Sequence, residues 1–335
     1  MTPTATDLPR LGIRLPNSGP FAEPGPLLDI AAAADRCGYD RVWVHDHISW
    51  AKDKLTHFAT GSIEACADQD PNFYESVTTS ALLLGRFPRL NVGIAGLVLP
   101  LRDPRVLVKQ LATLDRLGGG GRMIAACAIG NIRGDFAVMG VPFERRGRIT
   151  NDSLGAIRAL LGPDQPVAYE SETFTFSDAT FLPRPEGLAL WVTASSEPGL
   201  KRAARFADGW LTVYQPAERY RELATQLRDL AAEEGRDPAS LDTGYETYVT
   251  VARTHDEAIA IARTSLEHKF ETLERGLEVC IVGDADEVLE RIRVYQAAGA
   301  RHVELKFIAH DPAMVTDMAA QVAEAAGLGA RSPQR

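Results

Sequence analysis

Three ionisable side chains stand in a row at Val44-His45-Asp46-His47, at the end of the β-type run Arg41–His45. In an extended chain alternate residues share a face, so His45 and His47 point one way and Asp46 the other. Imidazole holds or releases a proton near neutral pH, and a neighbouring acid can fix its tautomer. Proton transfer, or the polarising of a bound cofactor, is the chemistry this trio suits. The plainer alternative is a capped loop with hydrogen-bonded imidazoles. A metal site would need a third ligand. His57, Glu64 and Asp68 could supply one, but no spacing recommends them, and no metal is expected.

Three further places carry candidate residues. The run Leu90–Val98 holds Gly93 and Gly96. Glycine weakens a strand unless a bulge or a close approach needs the missing side chain, so either a flat ligand or a tight interior fits. The run Met123–Ala128 leads into Ile129-Gly130-Asn131, with Arg133 and Asp135 beyond. There Gly130 opens space, and Asn131 offers an amide that only hydrogen-bonds. The run Leu188–Thr193 leads into Ala194-Ser195-Ser196-Glu197, and Pro198 opens a helix. Small hydroxyl residues before Pro at the first helical position make a good N-cap and a good anion site. Capping is the plainer reading, and Glu197 would repel an anion unless it points away. The basic run Arg145-Arg146-Gly147-Arg148 either pairs with acids or holds an anionic ligand. Gly118–Gly121 resembles a phosphate loop by composition, yet it lies between a helix and the next strand and reads as a turn.

The elements that must position these residues are short β-type runs alternating with longer helical patterns. Eight strands are expected: 11–15, 41–45, 90–98, 123–128, 188–193, 209–213, 245–251 and 302–308. Such alternation implies βαβ units and a parallel sheet. Eight units close into a (β/α)8 TIM barrel, whose chemistry sits at the C-terminal ends of the strands, where Asp46-His47, Gly130-Asn131 and Ala194-Ser195-Ser196 lie. An open doubly wound sheet would place a G-x-G-x-x-G turn after its first strand, and Asn17–Gly25 has no such order. One barrel domain is expected over 1–335, with insertions about 49–71, 162–187 and 270–282.

The 335 residues carry a net charge of -9, which leaves no broad basic face for nucleic acid and disfavours an anionic membrane surface. Cys37, Cys66, Cys127 and Cys280 lie far apart, without C-x-x-C spacing. Neither a disulfide framework nor structural zinc is expected, and the chain reads as cytoplasmic. Met1–Arg10 has no apolar signal core, and no apolar run near it could span a bilayer.

With these pieces placed, the chain resembles the bacterial luciferase-like flavin- or deazaflavin-dependent oxidoreductases. The resemblance runs from Leu11 to about Ile308. Its most specific stretches are Gly38–Ile48 (GYDRVWVHDHI), Pro100–Arg122, Leu190–Leu211 and Val282–Leu305. It implies a barrel that binds FMN or the deazaflavin coenzyme F420 in its C-terminal mouth. It further implies a small organic substrate, hydride transfer or monooxygenation, and a separate flavin reductase if FMN is used. A homodimer is expected. Family members that use the deazaflavin commonly end strand two in Asp-His, which Asp46-His47 matches. The implied catalytic residues are His47, Asp46 and Asn131. A bulged third strand, often with a non-prolyl cis bond, backs the ring in the family, and Ala95-Gly96 falls there, with Gly130 beside it. The loop after strand five binds the cofactor phosphate, which falls on Ala194, Ser195 and Ser196. Two departures stand out: family members often carry glycines where Ser195 and Ser196 stand, and the sugar-phosphate dehydrogenases carry a Glu where this chain has Asn131. A barrel that binds flavin without turnover is the alternative these departures suggest. A metal-dependent hydrolase using His45 and His47 is a third.

Overall fold

The computed structural model describes residues 8–49 and 72–329. The first half of the chain runs β1 (Arg10–Arg14), α1 (Pro24–Cys37), β2 (Arg41–Val44), α2 (Ser76–Arg86), β3 (Asn91–Val98), α3 (Pro104–Leu117), β4 (Met123–Ala128), α4 (Arg133–Val138) and α5 (Arg146–Leu161). It continues with β5 (Val167–Glu170), β6 (Thr175–Ala179), β7 (Ala189–Thr193), α6 (Glu197–Phe206), β8 (Gly209–Val213), α7 (Ala217–Glu233) and β9 (Asp242–Val251). The last part is α8 (His255–Phe270), α9 (Leu273–Val279), β10 (Ile281–Gly283), α10 (Ala285–Ala297), β11 (His302–Phe307) and α11 (Pro312–Ala325).

Local chemistry sets the element ends. Gly38 takes the left-handed conformation (φ 85) that stops α1 and turns the chain into β2. At α10, Asp284 accepts the N–H groups of Asp286 and Glu287 while Glu287 reaches back to the Asp284 N–H at 2.9 Å, a reciprocal cap. Pro104 opens α3 behind an Asp103 cap.

Strands β1, β2, β3, β4, β7, β8, β9 and β11 pair in parallel and close on themselves, β8 pairing with β9 and β9 with β11. This is the eight-stranded barrel that the alternation implies. The 162–187 insertion contains an antiparallel pair, β5 with β6. The 270–282 insertion is more ordered than its sequence suggests: α9 leads into β10, which pairs with the C-terminal end of β9. Of the 49–71 insertion only Ser49 lies among the described residues, so His57, Glu64, Cys66 and Asp68 lie outside them. Helix α4 gives no periodic signal, because six residues containing a glycine are too few to repeat. Among the described residues, no helix is long and apolar enough to cross a membrane.

The barrel interior is filled in layers. Trp43 and Trp191 lie with ring centroids 6.2 Å apart at mid-height. A Cβ on Gly93 would sit 2.1 Å from the Trp43 ring, and one on Gly209 would sit 2.5 Å from the Trp191 ring. Gly93 therefore makes room for a tryptophan rather than for a ligand. At the opposite end, the Gly118–Gly121 turn is pinned by the buried Asp115 carboxylate, which accepts the Gly121 N–H at 2.8 Å. That turn belongs to the face that stabilises the barrel, as its position in the sequence implies.

Candidate active site

His47 follows the end of β2 by three residues, and its Nδ1 lies 2.8 Å from Asp135 Oδ2. Asp135 is buried, sits in the first turn of α4, and also accepts a 2.8 Å bond from Ser49 Oγ. The His47 ring meets Phe73 edge-on, with centroids 5.4 Å apart. A carboxylate at Nδ1 favours the tautomer with its proton on that atom, so Nε2 is the nitrogen left for a ligand. The side chain stays one-fifth exposed, open enough to meet a substrate.

The acid that orients His47 is thus Asp135, not the adjacent Asp46. Asp46 points to the other face, as alternation requires, and is 2% exposed. Its carboxylate accepts the Ser76 hydroxyl at 2.7 Å, the Val98 backbone N–H at 2.9 Å and Arg102 Nε at 3.2 Å. Arg102 continues to Glu75 at 2.8 Å. Asp46 ties the ends of β2 and β3 and the start of α2 into one unit, so it positions the site from behind. On the other side of β2, the fully buried Asn17 donates to the carbonyls of His45 and Tyr74 at 3.0 Å and accepts the His45 N–H at 2.9 Å. Nothing in the sequence marks this clamp, because a lone Asn in a loop has no pattern.

The third strand carries its bulge where expected. The β3–β4 register shifts between Ala95 and Leu97, and the Ala95–Gly96 peptide is cis. A Cβ on Gly96 would lie 2.8 Å from the Ala128 methyl and 3.4 Å from Thr193 Oγ1, so the bulge holds glycine by close approach to β4 and β7. Thr193 Oγ1 is buried and has no hydrogen-bond partner among the described residues. Gly130 has φ 75, and a Cβ there would strike Val98 and Phe136 within 2.8 Å. Ala95, Gly96, Ala128, Gly130 and Ala194 thus line the β3, β4 and β7 strand ends with small groups. Asn131 is exposed in the β4–α4 loop, two residues before the helix that carries Asp135.

After β7, Ser195 Oγ lies 2.8 Å from Thr212 Oγ1 on β8. Ser196 is the N-cap of α6, yet its hydroxyl makes no capping bond, and Pro198 stands in the first turn. Ser196 is exposed at the start of α6, which follows the C-terminal end of β7, and a helix N-terminus favours an anion. Glu197 turns away: its carboxylate pairs with Lys201 one turn on, at 2.6 Å, and this bond lowers its pKa. The basic run does not join this site. Arg148 pairs with Glu172 at 2.6 Å, Arg145 pairs with the same carboxylate, and Arg146 lies over the Phe143 ring at 3.8 Å.

Across the mouth the interior is charged, which the sequence reading overlooked. Arg14 at the end of β1, Lys306 near the end of β11, and Glu246 and Glu304 in the middle of β9 and β11 are all buried. Burial, with Arg14 and Lys306 adjacent, holds the His45 imidazole well below its ordinary pKa. A cation at His45 would meet those two charges, which counts against the metal reading. The signal was present in HVELKF: charges two apart in an otherwise apolar run mark a polar inner face, since parallel strands buried on both sides read as apolar throughout.

A sequence model of luciferase-like monooxygenases matches residues 10–302. The 4-hydroxyprotoasukamycin monooxygenase of Streptomyces nodosus subsp. asukaensis is 27% identical over 304 residues, 81% of this chain and 76% of that protein. The F420-dependent glucose-6-phosphate dehydrogenase of Microbacterium testaceum is 27% identical over 319 residues, 86% of this chain and 88% of that protein. Among solved structures, an F420-dependent secondary alcohol dehydrogenase in complex with an F420-acetone adduct superposes with a TM-score of 0.81 at 19% identity, covering 95% of this chain and 99% of that one. The barrel, the third-strand bulge and a family match over most of the chain agree: this protein belongs to the luciferase-like monooxygenase family.

Proposed function

We propose that this protein is an oxidoreductase that uses F420 or reduced FMN to pass hydride to, or to monooxygenate, a small organic substrate. The observation that carries the reading is His47, held by the buried Asp135 at the same barrel end as the small-residue bulge. A carboxylate that aligns a partly exposed imidazole is what proton chemistry needs, and this favours turnover over binding alone. When bound, the (deaza)flavin supplies a ring that accepts or donates hydride, which no side chain of the protein can do.

The residues present fit such a group. The unpartnered Thr193 hydroxyl and the small groups at Ala95, Gly96 and Gly130 suit a flat ring against the backbone. Ser196 and the start of α6 suit its phosphate, with Ser195 and Ala194 shaping the loop. His47 Nε2 holds or takes the proton that accompanies the hydride, and Asn131 orients substrate or ring through its amide. The Asp46-His47 pair favours the deazaflavin. With FMN, a separate reductase would supply the reduced cofactor. A homodimer and a cytoplasmic location are further parts of this proposal.

Titrating the protein separately with F420 and reduced FMN tests the assignment. Saturable binding of one, at least tenfold tighter than the other, is expected, and binding of neither overturns it. The double variant Ser195→Asp with Ser196→Asp should weaken the bound cofactor at least tenfold, about 1.4 kcal/mol, since like charge then meets the phosphate. An unchanged dissociation constant removes the phosphate from this loop. Gly96→Val should also weaken binding at least tenfold, because its side chain meets Ala128 and displaces the bulge. Wild-type affinity in a folded Gly96→Val protein would show that the ring sits elsewhere.

A further inference from the structure

The N-terminal rim of the barrel, at the end away from His47, carries a cleft of its own. Arg10 is the first residue of β1, Asp242 the first of β9 and His302 the first of β11, and Arg301 precedes His302. Together with Arg228 of α7 and the α10–β11 turn at Gly299, these residues line a cavity of about 550 Å³. Among its described lining residues, three arginines share the cavity with one carboxylate. The chain as a whole carries a net charge of -9, so this rim is a local reversal of charge.

The backbone gathers the arginines. The Arg10 N–H donates to the Arg301 carbonyl at 2.8 Å, and the Arg301 N–H donates to the Thr243 carbonyl at 3.0 Å. Strands β1, β11 and β9 therefore hold Arg10 and Arg301 side by side. Gly299 takes φ 112, and a Cβ there would lie 3.0 Å from Arg228 Nη2. The missing side chain leaves room for the Arg228 guanidinium against the turn that leads to Arg301.

The one carboxylate is already engaged. Asp242 Oδ2 lies 2.8 Å from His302 Nε2, Oδ1 accepts the Thr243 N–H at 3.2 Å, and Arg301 Nη1 stands 4.0 Å from Oδ1. Burial acts to raise the Asp242 carboxyl, yet the His302 bond, the Thr243 N–H and the charge of Arg10 hold it below its ordinary range. Two acids close by in sequence are occupied as well. Asp40 pairs with Arg41 at 2.8 Å, and Asp237 accepts the Ala239 N–H at 2.9 Å. Arg301 Nη1 donates to the carbonyls of Ala239 and Leu241, both at 3.4 Å. The side chains of Arg10 and Arg228 make no hydrogen bond or ion pair among the described residues. Burial pulls the Arg41 guanidinium below its ordinary range, and Arg10 adds to the fall against Asp40. Positive charge at this rim is thus in excess of the carboxylates free to meet it.

We propose that this cleft binds a small molecule with two or more phosphate groups, gripped by Arg10, Arg228 and Arg301. Each guanidinium presents a planar fork of N–H donors that matches phosphate oxygen atoms, and three of them suit a ligand with several negative charges. The volume admits a ligand the size of a nucleoside diphosphate. The site lies at the opposite end of the barrel from His47, so its occupant is a second ligand and not the molecule that reacts. The inference goes beyond the oxidoreductase reading and needs no cofactor.

The full chain without flavin is titrated calorimetrically with inorganic pyrophosphate, sulfate and ADP. Pyrophosphate should bind at least tenfold tighter than sulfate and raise the thermal midpoint. The double variant Arg10→Gln with Arg228→Gln should weaken pyrophosphate at least tenfold. Both side chains are exposed, so the variant should melt within a few degrees of the wild type. The double variant Ser195→Asp with Ser196→Asp should leave the affinity unchanged, because α6 starts at the other end of the barrel. ADP that binds tighter than pyrophosphate identifies a nucleotide site, and ADP that binds no tighter assigns the site to the diphosphate alone. Pyrophosphate that binds no tighter than sulfate, or binding indifferent to the arginine variant, overturns the inference. Binding lost in the serine variant instead places the anion at the start of α6 and overturns it too. Flavin titrations read other residues, so either conclusion can fail without the other.

Discussion

His47→Ala should lower turnover by about 10²–10⁴, the usual contribution of a positioned proton donor or acceptor, and leave the thermal midpoint within a few degrees. The ring is one-fifth exposed and bonds at Nδ1 to a carboxylate already held by Ser49, so little packing is lost with it. Asp135→Asn should reduce turnover in the same direction, because an amide no longer fixes the proton on Nδ1. The neighbouring His45 is the internal control. Its imidazole lies beside Arg14 and Lys306 and is held neutral by burial and by those charges, so it has no call to relay a proton. Steady-state rates of the three variants decide the matter. Loss of turnover in His45→Ala, with full activity in His47→Ala, would move the catalytic role two residues along the strand. If neither variant changes the rate and both melt lower, the pair is structural.

Asp46→Ala should cost about 3–5 kcal/mol of stability, the usual loss when one partner of a buried ion pair is removed. Arg102 would keep its ion pair with Glu75 but lose that with Asp46, while the Ser76 hydroxyl and the Val98 N–H would lose their acceptor. Urea unfolding measures the loss. Whatever protein folds should bind cofactor and retain measurable turnover, since Asp46 faces away from His47. A variant as stable as the wild type but without turnover would show that Asp46 belongs to the chemistry, as the Asp-His motif alone suggests. The contrast with His47→Ala is sharp: one variant should lose stability and the other rate.

The division between what the chain announced and what it concealed follows from distance along the sequence. The alternation of β-type runs with helical patterns announced the eight barrel strands, because period two and period 3.6 are local properties of consecutive residues. The same locality made His47 legible at a strand end, the Ala95–Gly96 bulge legible as glycine inside a strand, and Ser196 legible as an N-cap before Pro198. Turn and cap chemistry at Gly38 and Asp284 was written in three or four residues each.

What stayed hidden depends on residues far apart. Asp135 reaches His47 from 88 positions away, Arg14 meets Glu304 across 290, and Asn17 clamps Tyr74 across 57. A carboxylate in a loop carries no mark of the imidazole it will face, so the adjacent Asp46 looked like the natural partner until β2 turned it the other way. Gly93 and Gly96 looked alike in one strand. Only packing against Trp43 made the first an interior socket, while the register shift made the second the bulge. By itself the sequence determined the barrel and the places on it where chemistry could occur. Pairing of β2 with β3 and of β3 with β4 decided which carboxylate serves the histidine, and closure of the sheet decided which charges meet inside the barrel, because only closure brings the first strand against the last.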